Sequence, residues 1–277
     1  MKSKVLTILS GLLVVTLLGA LILLGCGSGG GSFTNLTGLV KMAPQDSGEI
    51  IFIDVNKLKS DSDFGELYEE MKDSFEYTIA AGSGEDIMDF DDIHYIGMVM
   101  VDYGEVILIN GDFNLDAIRD QLKDEDYDKD DYMGVEIWYG YSDTVAIHNG
   151  TLILGDEDDV EKCIEVIDDP ETSAYEKNED VRDVVKEVSS GLFSTVIIGP
   201  FYPGADAVGM SFSKVNADLM KFSGCFKFDD NEDAEDALND IESDIESGDF
   251  YSVEVSRSGN LVKFSAEMDM EEAGLFW

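Results

Sequence analysis

The chain is poor in the residues from which most catalytic centres are built. It has two histidines and three cysteines in 277 residues. A zinc site draws on Cys and His, and too few are present to make one. A Gly-x-Ser-x-Gly elbow, a His-Glu-x-x-His helix and a phosphate-binding glycine loop are all missing. His94 and His148 read as core or surface imidazoles. Basic residues are scarce as well: 18 Lys and Arg face 60 Asp and Glu, for a formal net charge of −42. Phosphate backbones are bound by clustered Lys and Arg, so nucleic acid is excluded as a partner. Anionic headgroups repel such a body, while cations and basic proteins are attracted to it. No catalytic constellation rises above this background.

Apolar residues are plentiful, at 44%. That is enough for a core, so the acidity is a surface property and no mark of disorder. The acids are dispersed along every segment, which suits a saline habitat or simple solubility.

One uncharged run dominates the start. Lys2 and Lys4 precede Val5 to Leu24, and the run ends Leu23-Leu24-Gly25-Cys26 before Gly27-Ser28-Gly29-Gly30-Gly31-Ser32. A basic head, an apolar core and a small residue before a cut site describe an export signal. Leu23-Leu24-Gly25-Cys26 resembles the lipobox of bacterial lipoproteins. The resemblance implies a diacylglyceryl thioether on Cys26, a mature chain that begins there, and lipid anchoring on the outer face of the cell membrane. Two or more acyl chains hold far more firmly than one. The alternative is a single uncleaved transmembrane helix, since a span needs ~20 apolar residues and Lys2 and Lys4 would stay inside. Either way the remainder faces outward on a Gly/Ser tether that reaches ~5–6 Å times the square root of its length.

The expected organisation is a signal over 1–26, a flexible tether and lead-in over 27–48, and two α+β units over 49–155 and 156–277. Ile50 to Val55 reads as a strand. Asp63-Phe64-Gly65-Glu66 reads as a capping box ahead of a helix carrying Phe64, Leu67, Tyr68, Met71 and Phe75. Ile93 to Val101 is apolar on both faces and so is expected to be covered on both. Glu105 to Phe113 is the next strand, and Asn114 caps a helix with Leu115, Ile118 and Leu122. Asp124 to Asp131 reads as an acidic loop before the strand Val135–Tyr139. Asn149-Gly150 between two apolar runs predicts a two-residue hairpin, because both central residues need positive φ. Helices follow over Asp158–Ile167 and Asp180–Val188, separated at Pro170. Strands are expected at Phe193–Ile198, Val208–Phe212 and Leu219–Phe228, then a helix through Ala234, Ala237, Leu238, Ile241 and Ile245. A final hairpin turns at Arg257–Asn260.

The fold class is therefore α+β, a mostly antiparallel sheet with helices packed on one face. An internal duplication is expected. Ile96-Gly97-Met98 matches Val208-Gly209-Met210, and Gly111-Asp112-Phe113 matches Gly224-Cys225-Phe226. Each is followed by an acidic helix, then by Val135-Glu136-Ile137 or Val253-Glu254-Val255. The repeated unit is strand–strand–helix–strand–strand. Pro44-Gln45-Asp46 and the Asp54 to Leu58 spacing resemble the opening of uncharacterised bacterial lipoproteins, a likeness that implies no activity.

Calcium is the cofactor best matched by residue type. Asp124, Asp126, Asp128 and Asp130 alternate, and hard oxygens suit Ca²⁺. An EF-hand register from Asp126 fails, with Asp131 where Gly is wanted and Ile137 where Glu is wanted. Asp229, Asn231 and Asp233 sit at a helix start, where acids complement the dipole. A carboxylate pair suffices for glycoside hydrolysis, but among 60 acids a pair carries no information. Cys163 reads as a buried core thiol, and Cys225 lies in a strand without an evident partner. The tail Gly274–Trp277 either folds back or docks a partner.

Overall fold

The computed structural model describes residues 33–82, 88–101, 104–188, 191–246, 248 and 250–270. Met1–Cys26, the glycine tether to Ser32, the Asp102-Tyr103 turn and Gly274–Trp277 lie outside the described residues. Among those described are twelve strands and eight α-helices, the mixed α+β architecture expected. The chain divides into two compact units after Glu179.

In the first unit, α1 (Leu36–Val40) precedes β1 (Ser47–Asp54), α2 (Val55–Ser60) and α3 (Gly65–Gly82). The strands β2 (Ile93–Val101) and β3 (Gly104–Gly111) follow, then α4 (Leu115–Asp124). Four strands return: β4 (Asp128–Tyr132), β5 (Val135–Tyr139), β6 (Thr144–His148) and β7 (Thr151–Gly155). The unit closes with α5 (Glu157–Asp168) and α6 (Ala174–Lys177). Its strand order is β1-β2-β3-β7-β6-β5-β4, and every pair is antiparallel.

Three expectations are corrected here. Residues 33–48 are not tether: Asn35 caps α1 through its side chain, and Phe33, Leu36, Leu39 and Val40 are buried. Those apolar side chains have a sheet to pack on, which a coil reading of the flanking glycines missed. The chain does not enter α3 directly but through a 3-10 turn over Ser62–Phe64, capped by Asp61, whose side chain accepts from Asp63 N. Asp128 to Tyr132 is strand, not loop. It pairs along its whole length with β5, and four of its five residues are exposed, so no apolar alternation marked it.

The register fixes which side chains share a face. Phe52 lies opposite Gly97, Gly97 opposite Leu108, and Leu108 opposite Ile153. Leu39 of α1 stands over Gly97 so closely that a Cβ there would collide with its methyls. Asp159 of α5 covers Gly104 on that same face. The opposite face carries Ile53, Ile96, Ile109, Leu152 and Ile147, each buried. There α4 packs, tied by Arg119 to Glu136. The helices thus cover both faces of this sheet and not the one face expected, which explains why β2 is apolar on both. Full burial of an aliphatic side chain stabilises by about 1.5–3 kcal/mol, and this sheet buries two such layers.

The second unit repeats the plan. Its α7 (Glu179–Glu187) leads into β8 (Phe193–Ile198), β9 (Ala205–Lys214) and β10 (Leu219–Phe228). A helix α8 (Asn231–Glu246) crosses to β11 (Tyr251–Ser258) and β12 (Leu261–Asp269). The order is β8-β9-β10-β12-β11. Val184 and Val188, at the end of α7 and just beyond it, stand over Gly209 of β9 as Leu39 stands over Gly97 of β2. On the other face, α8 is tied to β11 by Arg257 and Glu235, and Phe222 packs on Phe212 and Phe264 at centroid distances of 4.7 and 4.8 Å. Both units are helix, three-strand meander, helix, then a return whose last strand pairs with the third. By this order β11 corresponds to β6 and not, as the match of Val253-Glu254-Val255 with Val135-Glu136-Ile137 implied, to β5; the β4–β5 hairpin is an addition to the first unit.

Candidate groove along the outer face of an acidic helix

A concave surface lies along α5 in the first unit. The sequence makes this helix two-faced: Val160, Cys163, Ile164 and Val166 are buried, while Asp158, Glu165 and Asp168 are exposed. Asp156 accepts through its backbone carbonyl from Asp159 N and Val160 N, at 3.1 and 3.0 Å. Three acids in the first turn complement the helix dipole. The other end does not follow that rule: Asp168 closes the helix, and the last turn holds no base.

Two open clefts adjoin on this helix. One, of about 420 Å³, is lined by Pro44, Val166 and Met133, with Asp46, Glu165, Asp168 and Asp169 among its acids. The other, of about 550 Å³, is lined by Val101 and Gly104, with Asp156, Asp158, Asp159 and Glu161 among its acids. Lys162 and Glu165 line both, which makes the pair one groove. Among the described residues Lys162 is its single base. Lys162 Nζ lies 3.2 Å from Asp159 Oδ1 and 3.8 Å from Asp46 Oδ2, so it pairs with one acid of each cleft.

The walls are held by short-range chemistry. Ala174 N donates to Ala43 O at 2.9 Å, and Pro44 bridges to Ser173. These bonds fasten the Pro44–Asp46 turn beside the Pro170–Thr172 turn. On the strand side, Tyr132 OH donates to Glu165 Oε1 at 3.0 Å and Tyr139 OH donates to Glu161 Oε1 at 2.8 Å. Met133 and Gly134 form the β4–β5 turn with φ of 53° and 80°, the same pattern as Asn149 and Gly150 at 48° and 79°. Asn suits that backbone, whereas Met does not. Met133 is nevertheless there, 53% exposed.

The aspartates expected to bind calcium are placed differently. Asp124 ends α4, Asp126 sits in a turn at φ 64°, and Asp128 and Asp130 lie on β4. Alternate residues of a strand are ~6.8 Å apart along it, so the last two do not converge. Among the described residues no group of three or more His, Cys, Asp or Glu is placed to hold a metal ion. Asp230, between the acids singled out at the second helix start, accepts from Glu232 N and Asp233 N at 2.8 and 3.0 Å and so caps α8.

The remaining candidates also resolve. Cys163 and Cys225 are buried free thiols, each pushed up to about 12 by burial first. Burial lowers the His148 pKa. His94 Nε2 stands 3.5 Å from Asp112 Oδ2. Burial raises Glu105 and Asp206, but neither lines the groove. Lys227 is buried and donates to Asp183 Oδ2 at 2.8 Å, with Asp180 Oδ1 at 3.7 Å, which is a structural pairing. The groove was missed in the sequence because its walls are brought together from three distant stretches. The one local signal was Met directly before Gly134 at a strand start.

No protein-family model and no curated protein sequence matches the chain. Among solved structures, TP0453 in crystal form IV is similar, with a TM-score of 0.52 at 6% identity, covering 85% of this chain and 94% of that one. TP0453 in crystal form III gives 0.49 at 7% identity, covering 88% and 97%. At such identity the likeness is one of fold alone. Among the described residues no helix is long and apolar enough to cross a membrane.

Proposed function

We propose that the chain is a lipid-anchored protein of the outer face of the cell membrane, and that its body is a binding or envelope-associated module. One observation carries the anchor: the uncharged run to Leu24 ends Gly25-Cys26 and is followed at once by a Gly/Ser tether. A negative body on a coil-like tether stands off anionic headgroups and draws cationic partners. The groove along α5 supports binding over a purely structural role, since it combines apolar floor with convergent polar groups. Mass spectrometry of the membrane-extracted protein tests the anchor. The expected result is a chain that begins at Cys26 and carries a diacylglyceryl thioether, with Cys26→Ser abolishing the modification. Intact polypeptide with Met1, recovered from the soluble fraction, overturns it. The length of Val5–Leu24 favours the second reading, a single transmembrane helix, for which the same measurement finds an unmodified, uncleaved chain in the membrane fraction.

A further inference from the structure

We propose that the groove along α5 docks a basic polypeptide segment that carries one apolar side chain among its Lys and Arg residues. The inference rests on the reading of the body as an outward-facing binding module, and it names that module's partner class.

Charge complementarity chooses the cations. Asp46, Glu165, Asp168 and Asp169 rim one reach of the groove, and its single base, Lys162, is drawn to Asp159 and Asp46. The floor chooses a polypeptide over a bare cation. Pro44, Val166 and the exposed Met133 offer nothing to a metal ion, but they fit an aliphatic or aromatic side chain set between charged ones.

Two residues of this groove run against local stability. Met133 holds a left-handed φ of 53°, at a turn position where Asn or Gly is favoured. Asp168 puts a negative charge at the end of a helix whose last turn holds no base, where the dipole favours a cation. Stability alone would reverse both choices. The acid-ended helix is shared with α8, whose last turn also holds no base, but Met133 is a departure at this surface, and such departures concentrate where a protein binds or reacts.

The test uses the full chain in non-ionic detergent and a fluorescein-labelled heptapeptide, Lys-Arg-Lys-Leu-Lys-Arg-Lys, read by anisotropy. A second peptide has Gly in place of Leu. Saturable binding is expected, with the Leu peptide tighter. Glu165→Gln, Asp168→Asn and Asp169→Asn together should weaken it about tenfold, from three exposed charge pairs. An equal neutralisation on α8, Asp236→Asn, Asp240→Asn and Glu242→Gln, should change it less than about twofold, since isolated surface charges contribute little. Met133→Asn keeps the turn geometry and should remove the preference for Leu over Gly. Three results overturn the proposal: no saturable binding of the Leu peptide, equal losses from the two triple variants, or an unchanged Leu preference in Met133→Asn. The binding assay is independent of Cys26 modification, so failure here and failure of the anchor are read separately.

Discussion

Gly97 in the first unit and Gly209 in the second occupy the same point of the same plan, yet what stands over them differs. Above Gly97 is one flexible leucine from a five-residue helix; above Gly209 are two β-branched valines, Val184 and Val188. Two residues past the partners of these glycines, each unit buries a polar side chain. In the first it is neutral Asn110, donating to Gly150 O at 3.1 Å. In the second it is Lys227, paired with Asp183. The second unit is thus locked by stiffer packing and by a buried charge. The first has looser seating and an added hairpin, and that hairpin supplies one wall of the groove. The repeated part of the plan supplies scaffold, and the added hairpin brings Met133 to the groove.

The sharpest way to break this comparison is at the buried polar pair. Lys227→Ala should cost about 3 kcal/mol, the lower end for a buried pair, because Asp183 keeps some access to water. Asn110→Ala should cost about 1 kcal/mol for one neutral hydrogen bond. Denaturant unfolding measures both, and equal losses would end the distinction. Next come the glycines. Gly209→Ala should destabilise by about 2 kcal/mol and Gly97→Ala by about 1 kcal/mol, within the usual span for overpacking. Leu39→Ala should relieve the second and no single valine truncation the first.

The added hairpin has its own charge network. Burial tends to raise Glu136, but hydrogen bonds from Arg119, Lys129 and Trp138 outweigh it and hold it at about 2, against an ordinary 4.5. A depressed carboxylate stabilises the fold above its unfolded value and loses that contribution as pH falls. The loss should therefore run from about pH 4.5 to about pH 2. Glu136→Gln should cost about 1–2 kcal/mol at neutral pH and flatten the acid unfolding curve across that window. A wild-type slope in the variant would assign acid sensitivity elsewhere. The smallest effect separates the two turns. Met133→Gly should stabilise by about 0.5 kcal/mol by removing left-handed strain. Asn149→Gly should stay within a few tenths, since Asn already suits that position. Thermal melts of the two variants side by side read the difference.

Much of the fold was legible because its cues are local. Asn149-Gly150 set a hairpin, Asn114 capped α4 through a bond to Ala117 N, and apolar alternation marked Phe193–Ile198 and Leu219–Phe228 to the residue. Gly97 and Gly209 were visible as a repeated tripeptide, though not the helices that press on them. The β4 strand was hidden, because an exposed edge rich in aspartate keeps its pairing partner on β5 and shows no apolar stripe. The unit boundary shifted for a related reason. α5 buries its apolar face on β3, β6 and β7, which keeps it with the first unit although it follows the last of those strands in the chain.

By itself, the amino-acid order determined the charge of the chain, the uncharged run to Leu24 with its Gly25-Cys26 junction, the α+β class and most element positions. Each of these depends on neighbours within a few residues, or on composition alone. Only the tertiary structure decided that Phe33, Leu36, Leu39 and Val40 pack as core, which helix covers which face of the first sheet, and that Pro44, Met133 and α5 enclose one groove. Those outcomes depend on strand register and long-range packing, which bring together side chains whose separation along the chain carries no periodic signal.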